Sequence, residues 1–155
     1  MSSADFLLET SNLSAIQCRV RVLSMFSEKG ETAIHIHTMS FGFKHGIPND
    51  ADFVFDVRFL PNPFYIPELK SLTGLDKAVS DYVIGFSESQ EYENKLFELV
   101  DFSLPLCVKE GRSQLIIAVG CTGGHHRSVT FAELLYKHFR DKGYSSSVSH
   151  RDILK

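Results

Sequence analysis

A chain of 155 residues, 43% hydrophobic and 23% charged, suits one domain with a packed core, and its composition excludes the collagen-like, low-complexity and disordered classes. Its formal charge of −3 excludes a globally basic nucleic-acid binder, although a local basic patch is compatible with it. No apolar run reaches the length of a membrane span, and Met1-Ser2-Ser3-Ala4-Asp5 lacks the basic start and apolar core of a signal peptide, so a cytoplasmic location with no membrane partner is expected.

In chain order, Phe6 to Thr10 is expected to be a short strand. Ser11 or Asn12 then caps a helix to about Phe26, which Ser27-Glu28-Lys29-Gly30 ends. Thr32 to Met39 alternates polar and apolar residues and is rich enough in β-branched ones to predict a strand, with a glycine-containing loop following from Ser40 to Asn49. A second strand is predicted over Phe53 to Phe59, stopped at Leu60-Pro61-Asn62-Pro63 because proline cannot donate to a ladder. Irregular chain continues to about Thr73, where Thr73-Gly74-Leu75-Asp76 begins a helix to about Gly85. Ser89 to about Glu110 predicts a long helix with Leu96, Leu99, Val100 and Leu106 on its apolar side and a kink at Pro105. Leu115 to Val119 is nearly all apolar, as in a central strand covered on both faces. A further helix carries Val129, Phe131, Ala132, Leu134, Leu135 and Phe139 and ends at Gly143, and Tyr144 to Val148 is expected as the last strand. Cys18, Cys107 and Cys121 form no closely spaced pair, which argues against a disulfide framework or zinc knuckle; Cys18 and Cys107 read as small core residues.

Strands alternating with helices predict an α/β fold, a mainly parallel sheet flanked by helices in a single domain, with ligands bound beyond the carboxyl ends of the strands. The stretch from Ala118 through Gly120-Cys121-Thr122-Gly123-Gly124-His125-His126-Arg127-Ser128 leads a strand through a glycine-bearing loop into a helix. Glycine lets the backbone approach a ligand closely, the helix start favours negative charge, and Arg127 offers a planar partner for phosphate oxygens. Three loops, 40–46, 58–63 and 121–128, are expected to meet on one edge and bring Lys44, His45, Arg58, His126 and Arg127 around one cavity suited to a phosphate or carboxylate. Asp56 and Arg58 share one side of their strand and are expected to pair. His35 and His37 likewise share a strand face, but spacing alone brings no third ligand to them or to His125 and His126, so no metal is expected.

Five runs carry a resemblance to a known family. They are Thr10-Ser11-Asn12-Leu13, Ser40-Phe41-Gly42-Phe43-Lys44-His45-Gly46-Ile47-Pro48, Phe55-Asp56-Val57-Arg58-Phe59-Leu60-Pro61-Asn62-Pro63, Thr73-Gly74-Leu75-Asp76 and Gly120 to Ser128. In this order they resemble the C-terminal domain of the RNase adapter protein family, RapZ. The resemblance implies a domain reminiscent of a sugar-phosphate-binding subdomain of phosphofructokinase, here 13–155, with 1–12 a remnant of an N-terminal P-loop domain that binds ATP or GTP in the full-length protein. No G-x-x-x-x-G-K-[ST] occurs in the chain, so no nucleotide cofactor is expected within it. The family role implied is that of a sensor and adapter; no catalysis is expected of this chain itself, and nucleotide hydrolysis by the P-loop domain of the full-length protein is left open. Its ligand would be a phosphorylated amino sugar, glucosamine-6-phosphate, or another small anion, and in some members the partners include small regulatory RNA and an endoribonuclease, in a homo-oligomer. The ligand residues implied or expected are Lys44, His45, Arg58, Cys121, Thr122, Gly123, Gly124, His126, Arg127 and Ser128. Arg140, Lys142, Arg151 and Lys155 are the candidate RNA contacts, forming a modest basic strip that Asp141 and Asp152 dilute.

One enzymatic alternative competes. Cys121 and Arg127 stand in a C-x5-R arrangement followed by Ser128, which resembles the phosphate loop of cysteine-dependent tyrosine phosphatases, where a lowered thiol pKa makes a nucleophile. Against it, Gly120 stands where that loop often has histidine, His125 and His126 crowd the loop, and no aspartate is placed as general acid.

Overall fold

The computed structural model describes Ser14, Ala15 and residues 34–155. The strand expected at Phe6 to Thr10, the helix to Phe26 apart from Ser14 and Ala15, the remnant 1–12 and Cys18 lie outside the described residues. The elements are β1 (His35–Gly42), β2 (Phe53–Asp56), α1 (Lys77–Ile84), α2 (Ser87–Lys109), β3 (Gln114–Cys121), α3 (Arg127–Asp141) and β4 (Ser145–His150). All four strands run parallel in the order β2-β3-β1-β4. The α/β reading therefore holds, and every strand delivers its following residues to one edge.

The sheet is apolar where it is covered. Ile34, Ile36, Leu115, Ile117 and Val119 form one core with Val79 and Val83 of α1, Leu96, Val100 and Leu104 of α2, and Phe131, Leu135 and Phe139 of α3. The α2 face differs from the predicted one. Leu96, Val100, Leu104 and Cys107 are buried, at helical spacing, whereas Leu99 is 48% and Leu106 54% exposed. Turning the stripe by about one position along the helix moves it a quarter-turn, and contact with the sheet selects which apolar stripe faces inward. Pro105 sits inside α2, which nevertheless runs on to Lys109.

Several boundaries differ from those expected, β3 running to Cys121 and β4 to His150 among them, and three show a tertiary reason. β1 continues past Met39 to Gly42 because β3 supplies a partner for each added residue, pairing Phe41 with Gly120 and Gly42 with Cys121. β2 stops at Asp56 rather than Phe59: the Asp56 carboxylate accepts the Arg58 N–H at 2.8 Å and closes a turn. α1 starts at Lys77, not Thr73, because the Asp76 side chain captures the Thr73 N–H at 2.8 Å and makes Thr73 to Asp76 a turn of its own.

The paired histidines on β1 meet serines. His35 Nδ1 and Nε2 lie 2.7 and 2.8 Å from the Ser145 and Ser147 hydroxyls, and His37 Nδ1 and Nε2 lie 2.7 and 2.8 Å from those of Ser147 and Ser149. Parallel pairing of β4 on β1 sets these neighbours side by side, and burial lowers the pKa of His35 below its ordinary 6.5. No described helix is long and apolar enough to cross a membrane.

Candidate functional site

A cavity of about 370 Å³ opens beyond the carboxyl ends of the strands. Its walls come from three segments. The 3-10 turn after β1 gives Lys44, the loop after β2 gives Asn62, Phe64 and Tyr65, and the loop after β3 gives Cys121, Thr122, Gly123, His125, His126 and Arg127. No carboxylate among the described residues lines it, and the α3 start at Arg127, where the helix dipole is positive, has no side-chain cap.

The loop after β3 owes its path to close backbone packing. Gly124 has φ +83°, and a Cβ there would lie 2.7 Å from the Gly42 nitrogen. A Cβ on Gly42 would lie 2.5 Å from the Gly123 carbonyl carbon. Neither position has room for a methyl group, so the end of β1 and this loop touch backbone to backbone. The Lys44 N–H donates to the Thr122 carbonyl at 3.3 Å, and the Gly74 N–H to the His125 carbonyl at 2.8 Å, fixing the loop at both ends.

Six of the ten expected ligand residues line the cavity: Lys44, Cys121, Thr122, Gly123, His126 and Arg127. The other four are placed elsewhere. His45 faces a separate open depression with Gly46, Ile47 and Arg151, because the 3-10 turn sends successive side chains in different directions. Arg58 is held beside the cavity by the Asp56 carboxylate, with Nη2 to Oδ2 at 2.8 Å, and by the Phe43 ring 3.8 Å beneath its guanidinium. Gly124 directs its N–H at the Cys121 sulfur, 3.3 Å away, and Ser128 is fully buried with its hydroxyl 3.1 Å from that same sulfur.

Arg127 is only 4% exposed. Its Nη1 donates to the Leu60 carbonyl at 2.9 Å and to that of Arg58, while its Nε is buried without a partner. Burial lowers its pKa from the ordinary value, opposed by the nearby Cys121, Asp56 and Tyr65. Arg127 thus clasps the loop after β2 as well as reaching the cavity wall. Burial also lowers the pKa of His126, against the pull of the Leu72 and Lys70 carbonyls, and its Nε2 has no partner. The neutral imidazole is therefore favoured at the cavity. Cys121 is 3% exposed with its sulfur enclosed by Gly124 and Ser128, and the guanidinium that a phosphatase would aim at phosphate is bonded to carbonyls, so the geometry lends the nucleophile reading no support.

Asn62, Phe64, Tyr65 and His125 also line the cavity; Asn62 and His125 belong to loops expected at that edge, but none of the four is among the expected ligand residues. A signal for the first three was present: Asn62 before Pro63 is a cap sequence, and its Oδ1 accepts the Phe64 N–H at 3.2 Å to start a short 3-10 turn. That turn presents Phe64 and Tyr65 outward, Tyr65 being 78% exposed.

The four expected RNA contacts do not form one strip. Arg140 and Lys142 lie at the end of α3, near the amino ends of the strands, whereas Arg151 and Lys155 follow β4 at the opposite edge. The six residues of β4 separate them by roughly 20 Å. Each is also paired: Arg140 with Asp141 at 3.6 Å, Lys142 with Asp101 at 2.8 Å, and Arg151 and Lys155 with Asp152 at 2.8 and 2.7 Å.

Comparison with known proteins gives one family. The family described as the RapZ C-terminal domain matches residues 34–154. A nucleotide-binding protein of Bacillus cytotoxicus is 55% identical over 152 residues, covering 98% of this chain and 52% of its own length. Nucleotide-binding proteins of Bacillus thuringiensis and Bacillus mycoides are each 54% identical over the same share of both chains. The chain spans about half the length of the curated relatives it matches.

Proposed function

We infer the function of this chain from one premise: it belongs to the RapZ C-terminal domain family. On that premise we propose a regulatory, metabolite-sensing domain of an adapter protein, without catalysis of its own, whose cavity takes a phosphorylated amino sugar such as glucosamine-6-phosphate. The observation that carries this reading is a cavity of about 370 Å³ with Lys44 and Arg127 in its lining and no carboxylate among the described residues, at a helix start without a side-chain cap. Such a lining favours one anionic group, and the volume falls in the range of small-ligand sites. Lys44 is exposed at the rim and Thr122 beside it carries a hydroxyl, so phosphate is the half of the ligand they suit. Asn62, Phe64 and Tyr65 line the same cavity, and we assign them to the sugar ring. Nucleotide binding, which the relatives' names record, is proposed to belong to the half of the longer protein that this chain does not cover.

Calorimetry of the chain against glucosamine-6-phosphate, glucosamine and inorganic phosphate tests the reading. Tighter binding of the phosphosugar than of either part, weakened by Lys44→Ala, is the expected result. Absence of phosphosugar binding, or equal binding of inorganic phosphate, overturns it.

A further inference from the structure

Asp152, just beyond β4, is 0% exposed, and a buried carboxylate is strongly unfavourable unless its oxygens are paired. Every partner it needs is present. Oδ2 accepts the Gly42 N–H at 2.8 Å and Arg151 Nη2 at 2.8 Å, while Oδ1 accepts Lys155 Nζ at 2.7 Å and Arg151 Nε at 3.2 Å. Burial pushes its pKa up, but Arg151, the Gly42 N–H and Lys155 outweigh burial and hold the carboxyl well below the usual range.

The Gly42 bond has a specific origin. β4 pairs with β1 as far as Ser40 opposite His150, and the Arg151 N–H still donates to the Ser40 carbonyl at 3.0 Å. The next β1 amide on that side belongs to Gly42, past the end of β4, and the Asp152 side chain takes the place of a strand carbonyl. Gly42 in turn is in backbone contact with Gly123, and a Cβ on Gly124 would lie 2.9 Å from the Asp152 Cβ as well as 2.7 Å from the Gly42 nitrogen. Asp152, Gly42 and the Gly123–Gly124 turn are thus in close contact, and Gly123 lines the cavity.

We propose that Asp152 is a positioning residue for the cavity: its carboxylate fixes the Gly42 amide and, through that backbone, the Gly123–Gly124 turn that presents the anion site. The proposal rests on the cavity being the ligand site. It also accounts for Arg151 and Lys155. A lone carboxylate behind an anion site would repel the ligand, and two cations against it leave this corner of the fold with net positive charge.

The test combines two Asp152 variants and one control variant with two readouts on the whole chain. Asp152→Ala removes the acceptor, Asp152→Asn keeps its shape but turns an amide N–H₂ toward Arg151 and Lys155, and Lys155→Ala, as a control, leaves the Gly42 bond in place. Glucosamine-6-phosphate affinity should fall about tenfold or more in Asp152→Ala, the scale of one charge-assisted hydrogen bond, by less in Asp152→Asn, whose amide oxygen can still accept the Gly42 N–H, and less than about twofold in Lys155→Ala. Amide hydrogen exchange separates positioning from general destabilisation. The Gly124 N–H, which bonds to the Cys121 sulfur and not to Asp152, should exchange faster in Asp152→Ala, and less so in Asp152→Asn, while the core amides of Ile117 and Leu135 keep their rates. Unchanged affinity and Gly124 exchange in both variants overturn the proposal, and so does faster exchange of Gly124 only in step with Ile117 and Leu135. Selective loosening of Gly124 in a chain whose wild type binds no phosphosugar upholds the positioning role and removes the proposed ligand.

Discussion

The two loops that border the cavity are held by opposite means. The loop after β3 is fixed by backbone against backbone, Gly42 against Gly123 and Gly124, where no side chain fits. The loop after β2 is fixed by one side chain, Arg127, whose guanidinium gathers the carbonyls of Arg58 and Leu60. The first arrangement tolerates no added atom, and the second tolerates no lost donor. Arg127 therefore has a structural duty that its sequence position, at the start of a helix after a glycine loop, does not announce.

The comparison breaks most sharply at Gly42. Gly42→Ala sets a methyl group 2.5 Å from the Gly123 carbonyl carbon, so one of the two backbones must move. A loss of about 3 kcal/mol in urea unfolding, the upper end of overpacking costs, should accompany loss of measurable phosphosugar binding. Wild-type stability in this variant would show that the β3 loop is not backed by β1.

Arg127→Ala probes the other loop by leaving two carbonyls without their donor. Stability should fall by about 2 kcal/mol, within the range for unpaired buried groups. Arg127→Lys should recover only part of that, since one ammonium cannot reproduce the planar fork. If Arg127→Ala weakened ligand binding with no change in urea midpoint, the clasp would be the lesser of its roles.

A smaller effect sharpens the comparison through pH. Burial lowers the folded pKa of His126 and His35 below 6.5, so the unfolded chain binds protons first as pH falls. Stability should thus decline from about pH 7 through 6.5 toward the folded values, and His126→Gln should flatten the slope of melting temperature against pH. A slope unchanged in His126→Gln would mean that His126 is not held neutral at the cavity.

The smallest effect is expected far from both loops. Arg140→Glu combined with Lys142→Glu alters charges paired with Asp141 and Asp101 on the edge opposite Arg151 and Lys155. Retention of single-stranded RNA at low salt should change by no more than about twofold, where loss of two phosphate contacts would do far more. A large, salt-dependent loss would make the α3 end an RNA surface in its own right.

Composition and hydrophobic periodicity determined the fold class, because a run such as Leu115 to Val119 has to be covered on both faces and the amphipathic pattern of α3 has to face it. The glycine-bearing turn after β3 was legible for the same local reason: glycines between a strand and a helix mark a tight turn and a close backbone approach. Element ends were not. Whether β1 stops at Met39 or Gly42 depends on what β3 offers opposite it. Which apolar positions of α2 face inward depends on where the sheet lies; Val100 is buried and Leu99 exposed although both are apolar. Side-chain destinations were equally hidden. His45, Arg58 and Arg127 are all cations or potential cations on loops at one edge, and only the packed structure sends the first to another depression, the second to Asp56 and the third to two backbone carbonyls. Local sequence sets which groups a segment carries, but the direction in which each points is fixed by partners dozens of residues away, as Asp152 is by Gly42.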